Sequence, residues 1–433
     1  MNHKAVAKNA FWIIGCRVIQ AALNLIIAMI SARYLGPSNY GLINYAASVV
    51  AFVVPIMYLG INNILVQELL SQPKKEGEIL GTSITLSFLS AILCMIGVFS
   101  FVSIANAGER DTILISALYS ILLLFQSVDL IQYWFQAKLL SKYTSLAMLA
   151  SYIMVSGYKI YLLVTQKSVF WFALSNAFDY FLIAAFLLAI YRKLGGQKLT
   201  FSFSLAKHLL SKGRYYIVSS LMVTIFAQTD KIMIKLMLGE SEVGYYSAAV
   251  VCAGMTSFIF SAIIDSMRPM IFEKKLVDQT EYELNITRLY AIVIFLSLLQ
   301  SVGMTIFSKY IILILYGNAY LPAISALRII VWYTTFSYLG SVRNIWILAE
   351  SKHQYLWIIN LSGALVNIGL NWILIPLLGI DGAAVASLIT QIFTNIIIGY
   401  MIKPIRYNNK LMLEAFRWKN LLKLTEHLPK FRK

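Results

Sequence analysis

The chain has 433 residues, of which 59% are apolar and 13% charged, against roughly 25% charged in a water-soluble protein. With a mean hydropathy of +0.74, this excludes a soluble globular fold and predicts an all-α polytopic membrane protein. The net charge of +17 raises the question of a nucleic-acid partner, but its placement along the chain assigns it to membrane topology instead.

Residues 1–10 are short and polar, with Lys4 and Lys8. The apolar segment that follows is too long for a removable signal peptide and lacks a small-residue cleavage site, so it is expected to stay as the first span. A helix needs about 20 apolar residues to cross the hydrocarbon core. On that measure, spans fall at 11–34, 41–64, 80–104, 112–135, 144–165 and 169–191. Pro55 in the second span removes a helix hydrogen bond and predicts a kink suited to a gating helix. After a basic stretch the pattern resumes at 215–238, 244–267, 284–307, 322–348, 356–375 and 383–402. The run 310–316 is apolar but too short to span, and reads as an interfacial or re-entrant continuation before Pro322. Pro269 and Pro376 read as helix ends. The tail from Lys403 onward, with Trp418, Leu421, Leu422 and Leu424 among nine basic residues, predicts an amphipathic helix anchored on the inner membrane surface.

Twelve spans divide six and six at the connection 192–214, which carries six basic residues and no acidic one. The expected organisation is a six-helix bundle with the central cytoplasmic loop at 1–213, a second bundle at 214–403 and a basic tail at 404–433. An internal echo supports the division: Leu35, Gly36 and Gly41 after the first span match Leu238, Gly239 and Gly244 after the seventh at the same spacing. Two such bundles related by an axis along the membrane normal form a parallel repeat with a substrate path between them.

Orientation follows from Lys and Arg in alternate connections. One side, including both termini, holds 25 basic residues and the other holds four, with seven inside spans. Both termini are therefore expected to be cytoplasmic, and the charge faces anionic lipid head groups rather than nucleic acid.

Several spans carry polar stripes. At 100 degrees per residue, Arg17, Gln20, Asn24 and Ser31 of the first span share one face. So do Ser220, Thr224, Gln228, Lys231 and Lys235 of the seventh, and Ser247, Gly254, Ser257, Ser261 and Asp265 of the eighth. A charge at a helix centre costs about 2.5 to 3.5 kcal/mol on the insertion scale, so these faces are expected to line a wet cavity. For any one Ser, Thr, Asn or Gln the plainer alternative is helix-to-helix hydrogen bonding. Asp129 and Asp179 add acids within spans, and Lys159, Arg288 and Arg343 add bases. Lys235 and Arg328 lie near span ends, where snorkelling explains them, and it is a rival for Arg288 as well. Asp230 lies off the Lys231 stripe and reads as a structural partner.

No P-loop pattern occurs, so ATP hydrolysis of that kind is excluded. His3, His208, His353 and His427 are scattered through cytoplasmic segments and make no metal or triad arrangement. Cys16, Cys94 and Cys252 sit singly in apolar runs, which suggests neither disulfide nor zinc. No cofactor, metal or catalytic residue is expected, and no external connection is long enough for a lumenal catalytic domain.

Several stretches carry a family resemblance. They are Ala32-Arg33-Tyr34-Leu35-Gly36-Pro37 with Tyr40-Gly41, Gln228-Thr229-Asp230-Lys231-Ile232-Met233-Ile234 with Val243-Gly244-Tyr245-Tyr246, Leu315-Tyr316-Gly317 with Tyr320 and Ala323, and Asn371 to Gly379 with Gly382-Ala383-Ala384. In order and spacing the sequence resembles the Wzx-type O-antigen flippases, in the polysaccharide-transport branch of the multidrug/oligosaccharidyl-lipid/polysaccharide (MOP) exporter superfamily. The resemblance implies a MATE-like V of two pseudo-symmetric six-helix bundles in the bacterial cytoplasmic (inner) membrane. It also implies an undecaprenyl-pyrophosphate-linked oligosaccharide as cargo, moved from the cytoplasmic to the periplasmic leaflet by alternating access and serving O-antigen or lipopolysaccharide biosynthesis. Membrane lipids, a polysaccharide polymerase and a chain-length regulator are the further partners it implies.

The candidate substrate-cavity residues are Arg17, Gln20, Asn24, Lys159, Gln228, Lys231, Ser257, Ser261 and Arg288. The bases among them are expected to meet the pyrophosphate or acidic sugars. Asp129, Asp179 and Asp265 are candidates for ion coupling. The rival readings are a small-molecule cation antiporter of the same superfamily and a membrane polymerase or acyltransferase, with a lipid scramblase or assembly partner behind them. The excess of basic over acidic residues within spans favours an anionic cargo over the antiporter.

Overall fold

The computed structural model describes residues 3–416, with side chains from Gly15 onward except those of Arg17 and Val18. Among the described residues every regular element is a helix. The first is α1, His3–Met57, followed by α2, Leu65–Ser71, α3, Glu76–Ala105, and α4, Arg110–Ser120. Short helices α5, Leu122–Gln126, and α6, Gln132–Ala137, continue α4 with a 3-10 turn between them. Then come α7, Ser141–Val164, α8, Val169–Lys193, α9, Phe203–Leu238, α10, Glu240–Gly254, and α11, Ser257–Val277. The remainder are α12, Gln279–Leu315, α13, Ala323–Ala349, α14, Leu356–Leu378, α15, Ile380–Ile392, α16, Ile398–Met401, and α17, Arg406–Ala415.

Nine of the described helical stretches are long and apolar enough to cross a membrane, and the α10–α11 pair, bent by 43°, makes a tenth. The twelve expected spans all fall on helices, and two causes account for the difference. α1 is continuous by hydrogen bonding but breaks at Gly36 (φ 72), so it holds two expected spans. α13 is helical throughout yet carries Arg328 and Arg343, and is not among the apolar stretches. Leu93, Ile96, Leu299, Ile314 and Trp372 are exposed, as lipid-facing positions require.

Three expectations are corrected. Pro55 produces no mid-span kink: the helix ends at Met57 and Leu59 and Gly60 follow with positive φ, so Pro55 occupies a last turn. The run 310–316 is not re-entrant, because it extends α12, a 37-residue helix that at 1.5 Å per residue exceeds the roughly 30 Å core. Pro269 does not end its helix; α11 continues to Val277. Pro376, by contrast, lies two residues before the end of α14.

The chain forms two compact units, 1–244 and 245–433. The sequence division at 213 falls earlier because α9, a helix of the second half by order, packs along α1 and α3. The core of the first unit includes Leu65, Leu80, Leu130, Phe135 and Leu187. That of the second includes Ile286, Leu289, Val342, Trp346 and Met412.

The echo between the halves has a local structural meaning within the first unit. Gly36 and Gly239 both take positive φ, 72° and 113°, which glycine adopts without a Cβ penalty, and each starts a new helical direction. Four residues after the following positions, the contacts are reciprocal. A Cβ on Gly41 would lie 1.8 Å from the Glu240 carbonyl oxygen, and one on Gly244 would lie 2.1 Å from that of Pro37. The repeated glycine spacing thus lets two equivalent helix starts touch backbone to backbone.

Candidate functional site

Within the first unit a cavity of about 380 Å³ lies between α1, α4, α5, α8 and α9. Most of its wall is apolar, from Val50, Val54 and Val223 among others; the polar groups are Tyr119, Gln126, Tyr180, Thr224 and Gln228. Gln228 is fixed from α1, because Ser48 Oγ donates to its Oε1 at 3.0 Å. Gln126 Oε1 is buried and unpaired, so it can accept a hydrogen bond from a bound group at a cost otherwise of about 1–3 kcal/mol. An apolar cavity with a few convergent amides and hydroxyls is the usual form of a ligand site.

Two acids, buried Asp129 and half-buried Asp179, lie near this wall. Asp129 accepts from Gln132 Nε2 at 2.6 Å through Oδ2 while its Oδ1 is unpaired. Tyr58, Tyr133 and Tyr180 lie within its electrostatic reach. Asp179 accepts from Ser151 Oγ at 2.7 Å, and Lys159 is its electrostatic partner. Tyr180 joins the two acids, feeling both and lining the cavity. The structure therefore groups Asp129, Lys159 and Asp179 with Gln228 in one unit, which spacing alone does not reveal because they come from four helices.

The other expected residues are distributed differently. The side chain of Arg17 lies outside the described residues. Gln20 is half-buried, and exposed Asn24 accepts from Tyr152 at 3.0 Å. Lys231 is half-buried beside Asp230, which itself is buried. Ser257 and Ser261 belong to the second unit and are exposed on α11. Asp265, further along that helix, is exposed and pairs with Arg268 at 2.9 Å. Arg288 is half-buried in α12 with no ion pair among the described residues. Arg343 is buried, donating to the Thr394 carbonyl and to Asn344.

Charged groups at both ends of α9 escaped sequence reading. At one end Lys235, whose side chain is 1% exposed, pairs with Glu109 at 2.6 Å and Glu240 at 3.1 Å. Lys235 therefore does not snorkel; two carboxylates bury it. Burial works against ionisation of Glu109, but hydrogen bonds from Lys235 and Thr112 prevail and hold its carboxyl below the ordinary value. At the other end Glu68 on α2 meets Lys212 at 2.7 Å and His208 at 3.3 Å. There too burial opposes ionisation, and the Lys212 contact outweighs it, lowering the carboxyl's value. Beside this cluster a Cβ on Gly60 would lie 2.2 Å from the Gly213 carbonyl oxygen. α9 is thus fastened at both ends to the first unit. Opposite charges on separate connections were the available signal, but which would meet is a tertiary fact.

A search of curated proteins returns no match. Among solved structures, the lipid II flippase MurJ in an inward closed conformation superposes with a TM-score of 0.70 at 15% identity, covering 96% of this chain and 93% of that one. The eukaryotic MATE transporter AtDTX14 gives 0.64 at 13% identity, with 96% and 99% covered. A mutant of the Vibrio cholerae MATE transporter VcmN gives 0.62 at 12% identity, with 96% and 98% covered. At such identities the likeness is one of fold. The model of the polysaccharide biosynthesis protein family matches residues 6–275. The chain, a multi-pass helical membrane protein, belongs to the polysaccharide biosynthesis protein family.

Proposed function

We propose that this protein is a flippase for undecaprenyl-pyrophosphate-linked oligosaccharide repeat units, moving them from the cytoplasmic to the periplasmic leaflet of a bacterial inner membrane by alternating access, without chemical change. The observation that carries the reading is the cavity of the first unit, where Gln126, Thr224 and Gln228, with Tyr119 and Tyr180, sit on a mostly apolar wall in a chain of a polysaccharide family. Amides and hydroxyls suit sugar hydroxyl groups, and an apolar rim suits the faces of sugar rings. Arg17, Lys159, Lys231 and Arg288 are the bases that would meet the pyrophosphate. Outward movement of a negative charge across an inside-negative membrane gains about 2.3 kcal/mol per 100 mV, so no nucleotide is needed. Asp129, Asp179 and Asp265 are the groups through which a proton or sodium ion would couple.

The test is complementation of a strain lacking its repeat-unit flippase. This chain is expected to restore surface polymer, and the Arg17→Ala, Lys231→Ala double variant to lose it at normal protein level. Restoration by the double variant would remove the bases from the cargo path. A second reading, export of small organic cations, is favoured by the unpaired Oδ1 of Asp129 near the cavity. Saturable binding of such cations by the purified chain, abolished in Asp129→Asn, would select it. Transport that persists after proton and sodium gradients are collapsed would reject ion coupling in either case.

A further inference from the structure

We propose that the face of α17 is a binding site for the head group of an anionic phospholipid, formed by Tyr400, Arg406, Tyr407 and Lys410. These residues, with Leu413 and Glu414, surround a cavity of about 540 Å³ in the second unit. The site begins where the last apolar stretch, Ile380–Met401, ends, and so lies at the membrane boundary by chain connectivity.

The opposite face of α17 is fixed. Leu411, Met412 and Ala415 are buried in the core of the unit, Asn408 Oδ1 accepts from Tyr290 at 2.9 Å, and Asn409 Nδ2 donates to the Ile396 carbonyl at 2.7 Å. The helix is therefore a rigid platform rather than a loose tail. On its free face Arg406 directs Nε and Nη2 at the Tyr400 carbonyl, at 3.2 and 2.8 Å, which sets the plane of the guanidinium. Lys410, one turn on, stands 5.6 Å from the centre of the Tyr407 ring. Tyr407 is itself held by donating to Glu283 at 2.8 Å. Neither Arg406 nor Lys410 has an acid within ion-pair distance among the described residues. Glu414 is the one carboxylate lining the wall, and Glu283 reaches it only through the Tyr407 hydroxyl.

Charge complementarity selects the occupant. A planar guanidinium and an ammonium one helical turn apart match the oxygens of a phosphodiester. Exposed Tyr400, Met401, Leu413 and Phe416 beside them suit the glycerol and acyl region. Basic clusters directly after a span are the ordinary recognition element for anionic lipids.

The experiment uses the full chain purified in a nonionic detergent, titrated with phosphatidylglycerol or with phosphatidylethanolamine of the same acyl chains, and read by native mass spectrometry. Wild type is expected to hold phosphatidylglycerol preferentially, and the Arg406→Gln, Lys410→Gln double variant to bind it about thirty-fold more weakly. Lys167→Gln, Lys309→Gln, which removes two exposed bases on the base-poor side, is expected to bind as wild type. Each single variant at 406 or 410 is expected to weaken binding by itself, which keeps the test open if the double variant misfolds. Equal retention of the two lipids, or equal loss in the control pair, would overturn the proposal.

Discussion

Lys235 shows how one residue can set the character of a helix end. Its ammonium is enclosed while Glu109 and Glu240 stay 46% and 39% exposed. Lys235→Met would leave two like charges facing each other without their cation. The expected loss is about 2 kcal/mol, below the roughly 3–5 kcal/mol of a fully buried pair because both acids keep solvent. Thermal unfolding in detergent measures it, and an unchanged midpoint would show the triad to be energetically idle. Glu68 and Glu109 give a pH signature. Their carboxyls lie below the ordinary 4.5, so their stabilisation is complete above that value and is lost as pH falls through the lower folded one. Stability from these groups should hold between neutrality and about pH 5, then decline in stronger acid. Glu68→Gln, starting lower, should show a shallower acid decline. None of these pairings is legible from sequence, since Glu68 and Lys212 stand 144 positions apart.

For helices, the decisive positions are those where backbones touch. Gly41→Ala places a Cβ 1.8 Å from a backbone oxygen that no rotamer change can move. It should cost about 1–3 kcal/mol or more, with a lower melting midpoint as the readout. Gly157 in α7 has nothing within 4 Å of an added Cβ, so Gly157→Ala should be neutral or raise stability by under about 1 kcal/mol. Equal effects at the two sites would contradict the close approach. The glycine echo was visible as a pattern, because spacing is a property of sequence. That it marks reciprocal contact was not, because a helix start does not say what it meets. Pro269 and the run 310–316 teach the converse: local breaker and length rules placed helix ends where packing carries the helix onward.

Across the whole molecule, charge bias between connections predicts which ends of the helices share a side. Cysteines introduced at Lys193 and Asp111, both exposed, should react with a membrane-impermeant thiol reagent from opposite faces in intact cells and inverted vesicles. Labelling of both from one face would refute the twelve-span topology. The proposed flippase function is tested at this scale through the cavity of the first unit. Gln126→Leu, Gln228→Leu should keep the fold, since neither side chain is part of the core, while surface polymer in the complementation assay falls at least about tenfold, the factor for roughly 1.4 kcal/mol of lost hydrogen bonding.

Composition and periodicity by themselves determined that the chain crosses a membrane in many helices, and the ordered glycine and aromatic stretches pointed to its family. Those are properties of residues next to one another or one turn apart, which hydration free energy and helix geometry dictate without reference to the rest of the chain. Only the tertiary structure decided that α9 packs with the first unit, that Lys235 is buried between two acids, and that Gln126, Tyr180 and Gln228 line one cavity. Such contacts join residues 126 to 180 positions apart, and side chains on different helices meet according to how the whole bundle closes, which no local pattern records.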